Sequence, residues 1–406
     1  MHQNEEHPAR LVSVKSIGNY SRNARSERKL RIAIVTNHPP PFRIPIYEKI
    51  GRMPDVELQV IFCSRREPNR QWKLPPLNFN HIFLRERFVT RGDNFIHNNF
   101  DVVSALMRFA PDVVVTTGFN PTYLYAFGYT LAKGALHLPM TDGTDVSEAA
   151  LSTPHKLIRR FVYSRSHAFV AASEGGRRLY ESYGISPKDC FLSCLCIDNE
   201  AYLVDPPDGE QQFDFIFCGR IVEAKNPLFA LQVACEAARR LGRKVNILFV
   251  GSGVQEEQIK NEAAQCPELI EARFNGFAAQ HELPSLYRSA RIFLFPTLAD
   301  VWGVVANEAA AAGLPILVSP HAGVADELVL DGENGFVCEL DIGIWAERAE
   351  LLLTRPAVYQ RFSRRSRSLV NEYTFENAAL GLVDACRHAY ANSKGEMRAE
   401  KKKKVG

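Results

Sequence analysis

The chain has 406 residues, of which 46% are apolar and 23% charged, and its formal net charge is +3. This length is too great for one ordinary hydrophobic core and predicts two domains, while the small net charge gives no electrostatic case for a nucleic-acid-binding protein. No stretch approaches the ~20 consecutive apolar residues that span a bilayer, and the first residues lack the apolar core of a signal peptide, so we expect a cytoplasmic protein.

The cysteines do not have the spacing of a metal site. There are nine, and the group Cys190, Cys194 and Cys196 has neither Cys-x-x-Cys pairs nor histidine partners. We therefore expect no metal, and buried free thiols in a reducing compartment.

Both ends of the chain are basic. Residues 1–29 contain few large apolar side chains, so they cannot bury enough surface to offset the entropy of ordering. Residues 396–406 include a run of lysines at 401–404. We expect both segments to be disordered tails. A second interpretation is that the lysines are attracted to anionic lipid headgroups, each adding about 1 kcal/mol, which would place the protein peripherally on the cytoplasmic face of the membrane.

From residue 30 onward, strand-like and helix-like segments alternate. The strand-like segments are apolar runs of the kind buried on both faces of a parallel sheet, at 30–36, 56–63, 112–116 and 167–172. Helix-like segments at 121–133 and 157–165 lie between them. This alternation predicts a parallel sheet with helices on both faces, and we assign residues 30–205 to an N-terminal domain.

Loops of this domain carry two candidate ligand contacts. The first strand is followed by three prolines at 39–41 rather than by a glycine-rich turn, so this domain is not expected to hold a pyrophosphate. Arg43, on the same loop, either meets an anionic ligand or forms an ion pair at the surface. Asp142 either contacts a ligand hydroxyl group at a strand end or forms an Asx turn or a helix cap.

The turn-forming sequence DPPDG at 205–209 predicts a linker, after which the alternation restarts. Strand-like runs at 213–218, 245–250, 269–274 and 292–295 are separated by helix-like segments at 227–241, 255–265 and 283–290. We assign residues 206–375 to a second domain and 376–395 to a helix that packs back on the first. The predicted class is α/β, with two doubly wound, Rossmann-like domains facing each other across a ligand-binding cleft.

Loops of the second domain suit a ligand that contains phosphate. Gly219, Gly251 and Gly253 follow strands and permit close approach of the backbone. Arg220 and Lys225 place two cations ahead of a helix that starts with proline. There they would stabilise the negative charge that develops on a departing diphosphate. The alternative is a solvated basic loop.

The segment at 293–308 carries two carboxylates separated by seven residues, Asp300 on a loop and Glu308 inside a helix. The helix is expected to begin near Gly303, where its free N–H groups would favour an anion. The two acids would suit sugar hydroxyl groups. Alternatively, Asp300 complements the helix dipole and Glu308 occupies a solvated helical position.

Together these motifs resemble the nucleotide-sugar domain of the retaining family 4 glycosyltransferases, also called glycosyl transferases group 1, which have the GT-B fold. The resemblance covers about residues 213–337, through GRIVEAKNP, GSG, NGF, FPTLADVWGVVANEAAAAGLPILVS and GVADELVLDGENGFV. The first domain is similar more loosely, through NHPPPFRIPIYEKI and ASEGGRRLYESYGI, to members that build bacterial exopolysaccharide, capsule or lipopolysaccharide.

The resemblance implies roles for individual residues. Arg220 and Lys225 would bind the donor diphosphate in place of a metal. Asp300 would lie near the donor sugar, and Glu308 would bind the ribose of the nucleotide. The remaining donor contacts would come from backbone groups and from one aromatic side chain beside the base, at Gly219, Gly251, Gly253, Gly303, Val304, Val305 and Phe277.

The acceptor side matches the family less closely. Arg43 and Asp142 are the candidates for acceptor contacts. The family usually has glutamate at the position of Asp300 and phenylalanine at that of Trp302. We find no match for a histidine that many members place near the reacting centre, and His38 is interpreted as a surface residue.

The resemblance thus predicts a retaining, metal-independent glycosyltransferase with a nucleoside diphosphate sugar as co-substrate and no further cofactor. The acceptor would be a saccharide or a lipid-linked group in cell-surface polysaccharide synthesis. Two alternatives stay open: a phosphorylase or sugar-nucleotide epimerase on the same fold, and a nucleotide-sugar-binding protein without catalysis.

Overall fold

The computed structural model describes residues 28–67, 74–91, 94–203 and 211–405, with side chains as far as residue 395 other than those of Arg91 and Asn94. The linker predicted at 205–209 and nearly all of the tail predicted at 1–29 lie outside the described residues. Most of the described chain belongs to two parallel sheets and to the helices that cover them.

The N-terminal domain is built on a parallel sheet. Its described strands are β1 (Leu30–Thr36), β2 (Val56–Phe62), β3 (His81–Phe83), β4 (Phe88–Arg91), β5 (Asn94–His97), β6 (Val113–Thr116), β7 (Leu136–Thr141), β8 (Phe169–Ala171) and β9 (Cys190–Leu192). Its described helices are α1 (Ile44–Gly51), α2 (Asp101–Phe109), α3 (Pro121–Lys133), α4 (Asp145–Glu148), α5 (Thr153–Tyr163) and α6 (Glu174–Ser182). The sheet order is β3-β2-β1-β6-β7-β8-β9, and β4 and β5 form an antiparallel hairpin.

The second domain repeats the plan. Its described strands are β10 (Phe213–Cys218), β11 (Val245–Val250), β12 (Ile270–Gly276), β13 (Ala290–Phe295), β14 (Ile316–Val318) and β15 (Gly335–Val337). Its described helices are α7 (Pro227–Leu241), α8 (Glu256–Ala263), α9 (Leu283–Arg288), α10 (Val304–Ala311), α11 (Ile342–Thr354) and α12 (Pro356–Val370), and α13 (Phe375–Val405) follows. The sheet order is β12-β11-β10-β13-β14-β15.

Both sheets reverse their strand order beside their first strand. In the N-terminal sheet β1 lies between β2 and β6, and in the second sheet β10 lies between β11 and β13. In open α/β sheets the ligand crevice lies outside the carboxyl ends of the strands at such a reversal. The predicted α/β class with two Rossmann-like domains is confirmed, and the reversal shows where a ligand site belongs.

The central strands of the second sheet, β10 and β13, are mostly apolar because helices cover both faces. Every residue of β10 is buried. Helices α7 and α11 pack in the core on one face, and α10 packs on the other. This packing fixes the strand ends from which the functional loops emerge.

The structure differs from the sequence prediction at short elements. We did not predict β3, β4, β5 and β9, because three or four residues each leave too few positions to show a periodicity. Helix α5 begins at Thr153 rather than at 157, since Pro154 fits the first turn, where an N–H group has no partner within the helix. All nine cysteines are free, as expected, but Cys194, Cys235 and Cys266 are only partly buried.

Helix α13 returns to the N-terminal domain. Ala378, Leu382 and Cys386 are buried in the same core as β1 and α1. The backbone of residues 396–405, where we expected a disordered tail, is helical to Val405, since the Glu, Met, Arg, Ala and Lys residues of this segment favour helix. Among the described helices, none combines the length and the apolar character required to cross a bilayer.

Gly381 determines how closely α13 approaches β9. A Cβ atom at this position would lie 1.7 Å from the carbonyl oxygen of Leu192. We predict that Gly381→Ala lowers the free energy of unfolding by about 2 kcal/mol or more, because the overlap forces the helix away from the sheet. Urea denaturation followed by circular dichroism measures this change.

The matched control is Gly395→Ala, on the same helix, where an added carbon meets nothing within 4 Å. It should be neutral or should stabilise by up to about 1 kcal/mol through helix propensity. Equal destabilisation by the two substitutions would contradict the close approach.

Candidate active site

The loops that follow β10 and β13 lie side by side at the point where the strand order reverses. The carbonyl oxygen of Ala224 accepts hydrogen bonds from the Thr297 hydroxyl group at 2.9 Å and from the Leu298 N–H group at 2.9 Å. The loop that carries Lys225 is therefore fixed to the loop that carries Asp300.

Lys225 and Asp300 form an ion pair in this crevice. The Lys225 ammonium group donates to Oδ2 of Asp300 at 2.5 Å, and the two side chains are 18% and 20% exposed. The other carboxylate oxygen accepts from the Trp302 N–H group at 3.3 Å. The structure thus brings together two of the predicted residues, a cation and an acid, at the edge of the sheet.

Glu308 is buried rather than solvated. It is 5% exposed, because α10 packs against α9 and β13. Tyr287 donates its hydroxyl group to Oε2 at 2.9 Å, and the Gln280 amide donates to Oε1 at 3.3 Å. Burial raises the pKa of Glu308 to about 7, although the hydrogen bonds from Tyr287 and Gln280 act in the opposite direction. The solvated position considered for Glu308 is therefore wrong.

Helix α10 presents an uncapped N-terminus to the crevice. It begins at Val304, as expected, with Gly303 as N-cap at φ 103° and without a side-chain cap. A Cβ atom at Gly303 would lie 2.3 Å from the Phe295 ring, so the packing requires glycine as much as the backbone angle does. The N–H groups of Val304 and Val305 open a helix that favours an anion at this end.

The other predicted glycines divide into two kinds. Gly219, at φ 150°, faces open space. In contrast, a Cβ atom at Gly251 would lie 1.9 Å from the carbonyl oxygen of Gly219, and one at Gly253 would lie 2.1 Å from that of Ile221. The close approach that requires glycine at 251 and 253 is thus between two loops of the protein.

Arg220 and Phe277 are exposed at the ends of β10 and β12. Phe277 is 62% exposed, as a ring that stacks on a ligand would be before the ligand binds. Within the described residues, Arg220 forms no ion pair with Asp300 or Glu308. The structure therefore places Arg220 near the crevice by its loop but does not bring it into contact with the two acids.

The two candidate acceptor residues bind each other. The Arg43 guanidinium donates to Asp142 at 2.6 Å and to the carbonyl oxygen of Ser193 at 3.0 Å. Arg43 is 4% exposed, so the surface ion pair considered for it is wrong. Burial alone would lower the pKa of Arg43, and the Asp142 carboxylate more than offsets this, so its pKa is raised. The helix cap considered for Asp142 is also wrong, because the cap of α4 is Thr144.

His38 is buried, at 4% exposure, and is not the surface residue that we expected. Its Nδ1 atom lies 3.4 Å from a Glu67 oxygen, and His97 Nε2 lies 3.2 Å from the other. Burial alone would raise the pKa of Glu67, but its contacts with His38 and His97 outweigh burial and hold the pKa well below its usual range. Sequence reasoning missed this cluster because its members come from three separate segments.

Asn307 was also missed, although it links the two domains. The Trp302 indole N–H group donates to the Asn307 side chain at 2.8 Å, and the Asn307 amide donates to the carbonyl oxygen of Leu195 at 3.3 Å. The one signal in the sequence was Trp302 itself, since a buried indole N–H group needs an acceptor. A phenylalanine, usual at that position in the family, has no such donor.

A cavity of about 630 Å³ lies between the domains. Val304, Glu308 and Gln280 line it on the side of the second domain, and α1 lines it on the other with Lys49 and Arg52. Within the described part of the chain, no three His, Cys, Asp or Glu side chains are grouped so as to hold a metal ion. The predicted ribose residue and the N-terminus of α10 thus face a hollow shared by both domains.

The buried Glu308 links folding to pH. Its pKa is near the ordinary 4.5 when unfolded and about 7 when folded, so its contribution to stability is complete below about pH 4.5 and is lost as the pH rises to about 7. We predict that Glu308→Gln removes roughly 3 kcal/mol of this pH dependence. Urea denaturation at about pH 5 and about pH 8 measures it. Glu347→Gln, at an exposed glutamate, should leave the dependence unchanged, and an equal effect would refute the assignment.

We expect Arg43 to stabilise the fold even when no ligand is bound. Arg43→Ala leaves the Ser193 carbonyl without its donor and Asp142 without its cation, so we predict a loss of about 3 kcal/mol in the free energy of unfolding. Arg52→Ala, at a side chain that is 72% exposed, should change it by less than about 0.5 kcal/mol. Thermal and urea denaturation distinguish the two, and similar values for both would contradict the buried role.

Comparison with known proteins agrees with this geometry. Residues 198–369 match the family model of glycosyl transferases group 1. The chain is 33% identical over 132 residues to an uncharacterized glycosyltransferase of Haemophilus influenzae, covering 32% of this chain and 37% of that protein. It is 25% identical over 268 residues to a D-inositol 3-phosphate glycosyltransferase of Rhodococcus erythropolis, covering 61% and 60%. The chain therefore spans between 37% and 60% of the length of these curated relatives.

Solved structures extend the likeness over both domains. A glycosyltransferase from Rickettsia africae superposes with a TM-score of 0.69 at 14% identity, covering 90% of this chain and all of that one, 100%. Anabaena HepE in complex with UDP and glucose superposes with a TM-score of 0.65 at 12% identity, covering 87% and 98%. At these identities the likeness shows the fold. The chain therefore has the GT-B fold, and its second domain matches the glycosyl transferases group 1 family.

Proposed function

We propose that this protein is a glycosyltransferase that moves a sugar from a nucleoside diphosphate sugar to a saccharide or lipid-linked acceptor, with retention of configuration and without a metal. The observation that carries the proposal is the ion pair of Lys225 and Asp300 at the strand-order reversal. A cation, two acids and a helix N-terminus around one crevice suit a diphosphate joined to groups rich in hydroxyls.

The leaving diphosphate would be stabilised by fixed positive charge. Lys225 is held in place by Asp300 and by the bonds of its loop to Thr297, so little reorganisation is needed when negative charge develops. Arg220 is exposed on the same loop and can turn toward the second phosphate. The N–H groups of Val304 and Val305 add the positive end of α10.

Asp300 would have a double role. In the absence of donor it neutralises Lys225 at 2.5 Å. A bound diphosphate competes for the ammonium group, and the released carboxylate is then free to accept a hydrogen bond from the donor sugar. Aspartate reaches one methylene less far than the glutamate usual in the family, so this sugar contact requires the sugar to lie close to the β13 loop.

Glu308 would hold the ribose from inside the cavity. Each of its oxygen atoms already accepts one hydrogen bond from the protein, and a carboxylate has about four acceptor sites. Two sites therefore remain for the ribose hydroxyl groups. The exposed Phe277 ring would flank the base.

The N-terminal domain would present the acceptor. Its buried Arg43 orients Asp142, whose side chain is still 48% exposed and can meet an acceptor hydroxyl group. We propose attack from the face of the leaving group, which retains the configuration and requires no nucleophile from the protein. Closure of the two domains around the donor would exclude water from the crevice.

The relatives support this class of substrate. HepE was solved in complex with UDP and glucose, and one curated relative carries the name D-inositol 3-phosphate glycosyltransferase. For this protein we propose a role in cell-surface polysaccharide synthesis in the cytoplasm. The lysines at 401–404 would attract anionic lipids at the cytoplasmic face of the membrane.

The test begins with a panel of nucleotide sugars. A donor at about 100 times its dissociation constant adds about 2.7 kcal/mol to the free energy of unfolding, which a thermal shift detects. With the donor so identified, Lys225→Ala should lower kcat by about 10²- to 10³-fold, because the departing diphosphate loses a fixed charge. Release of nucleoside diphosphate in the presence of acceptor mixtures measures turnover.

Lys244→Ala is the control, at an exposed lysine beside the opposite end of β11, and it should turn over normally. Unchanged turnover in Lys225→Ala would remove Lys225 from the mechanism. Epimerisation of the donor without an acceptor would favour the epimerase alternative. Donor binding with no transfer to any acceptor would favour a protein that binds without catalysis.

A further inference from the structure

Glu327 makes a contact that crosses between the domains. It lies on the loop between β14 and β15 in the second domain, and Glu174 is the first residue of α6 in the N-terminal domain. The Glu174 N–H group donates to both carboxylate oxygens of Glu327, at 3.0 Å and 3.1 Å. The resemblance to known motifs assigned no role to either residue.

Both partners lie where the two domains face each other. Helix α6 follows β8, and the Glu327 loop follows β14, so each starts at the carboxyl end of a strand. In doubly wound domains these ends line the crevice. A rotation that opens the cleft would therefore separate the Glu327 carboxylate from α6.

The end of α6 that Glu327 contacts is rigid. Ser173 caps it by accepting a hydrogen bond from the Gly176 N–H group, which leaves the Glu174 N–H group directed outward. A Cβ atom at Gly175 would lie 2.9 Å from Thr144, so the first turn packs tightly on the rest of its domain. A carboxyl group held here by the first turn of α6 ties the N-terminal domain to the loop that carries Glu327.

We propose that Glu327 is a positioning residue. Its contact with α6, which we call the clasp, holds the N-terminal domain in the closed arrangement and so determines the width of the cleft between donor and acceptor. Its effect on transfer rests on the function proposed above, whereas its effect on domain closure does not. Glu327 touches no reacting atom in this proposal, and it acts through α6.

Closure of the cleft by this clasp depends on pH, through the protonation of the Glu327 carboxyl group. Burial raises the pKa of Glu327 to about 7 from the ordinary 4.5, opposed by the N–H groups of Glu174 and Gly175. The titratable and charged groups around Glu327 are Glu174, Arg178, Cys194 and Tyr373. In this proposal, opening of the cleft exposes the Glu327 carboxyl group and lowers its pKa, so closure takes up a proton and weakens as the pH rises toward about 7.

Small-angle scattering on the full chain without nucleotide tests the clasp. The radius of gyration of the unaltered protein should increase from about pH 6 to about pH 8, as the clasp weakens. Glu327→Gln keeps an acceptor but cannot ionise, so it should remain compact at both values. Glu327→Ala should be expanded at both, with circular dichroism confirming that it is folded. Glu333→Gln, at a half-exposed glutamate of the same loop paired with Arg365, is the control and should behave as the unaltered protein.

An equal radius for all variants at both pH values would overturn the clasp. Where transfer is measurable, Glu327→Ala should lower kcat by roughly 10- to 100-fold through misplacement of the reacting groups, with the KM for donor unchanged and activity restored in Glu327→Gln. Equal loss in Glu327→Gln would also overturn it. Absence of transfer with every donor and acceptor would defeat the proposed function and leave the scattering result to decide the clasp by itself.

Discussion

The carbonyl oxygen of Ala224 holds together the two loops on which the candidate site depends. It accepts one hydrogen bond from the Thr297 side chain and one from the Leu298 backbone. These bonds bring the exit of β10 beside the exit of β13, so that Lys225 meets Asp300. A cation supplied in this way is pre-oriented before any substrate arrives, which is the condition under which electrostatic stabilisation of a leaving group is most effective.

In the second domain, close packing of backbone segments holds the loops at the strand ends in place. Gly251 and Gly253 let the β11 exit pack directly on the backbone of the β10 exit, and Gly303 lets α10 start against the Phe295 ring. The strand exits that would bind a nucleotide are therefore closely packed. The link to the N-terminal domain includes a small number of polar contacts, among them Asn307 to Leu195 and Glu327 to Glu174. Apolar contacts cross between the domains as well, since Leu195 and Ile197 are buried in the same core as α10.

Two buried glutamates have similarly raised pKa values but lie in different surroundings. Burial raises the pKa of both Glu308 and Glu327 to about 7. Glu308 accepts hydrogen bonds from Tyr287 and Gln280 of its own domain and is also contacted by Tyr202 of the N-terminal domain, so its protonation is linked to the folding of the second domain and to the packing of Tyr202 against it. Glu327 is enclosed by a helix of the other domain, so its protonation reports on how the domains meet.

Much of this organisation was visible in the sequence, because it depends on local chemistry. Nearly unbroken apolar runs predicted β1, β10 and β11 at their observed positions, since a strand covered on both faces has few polar positions. Proline and glycine predicted the start of α7 and the region where α10 begins. Short strands such as β3 and β9 were missed, because three residues carry no periodicity.

The partners of the side chains were decided by the tertiary structure. Arg43 and Asp142 were both chosen as ligand contacts, yet they bind each other across 99 residues of sequence. The solvated position considered as the alternative for Glu308 is wrong, because this side chain is buried, and Glu327 was not considered at all. By itself the sequence determined the alternation of elements and the residue types at the strand exits, since these follow from each segment's own periodicity and turn chemistry. Only the folded chain decided which charges are buried and which groups satisfy them, because burial and pairing depend on segments that are distant in sequence and adjacent in space.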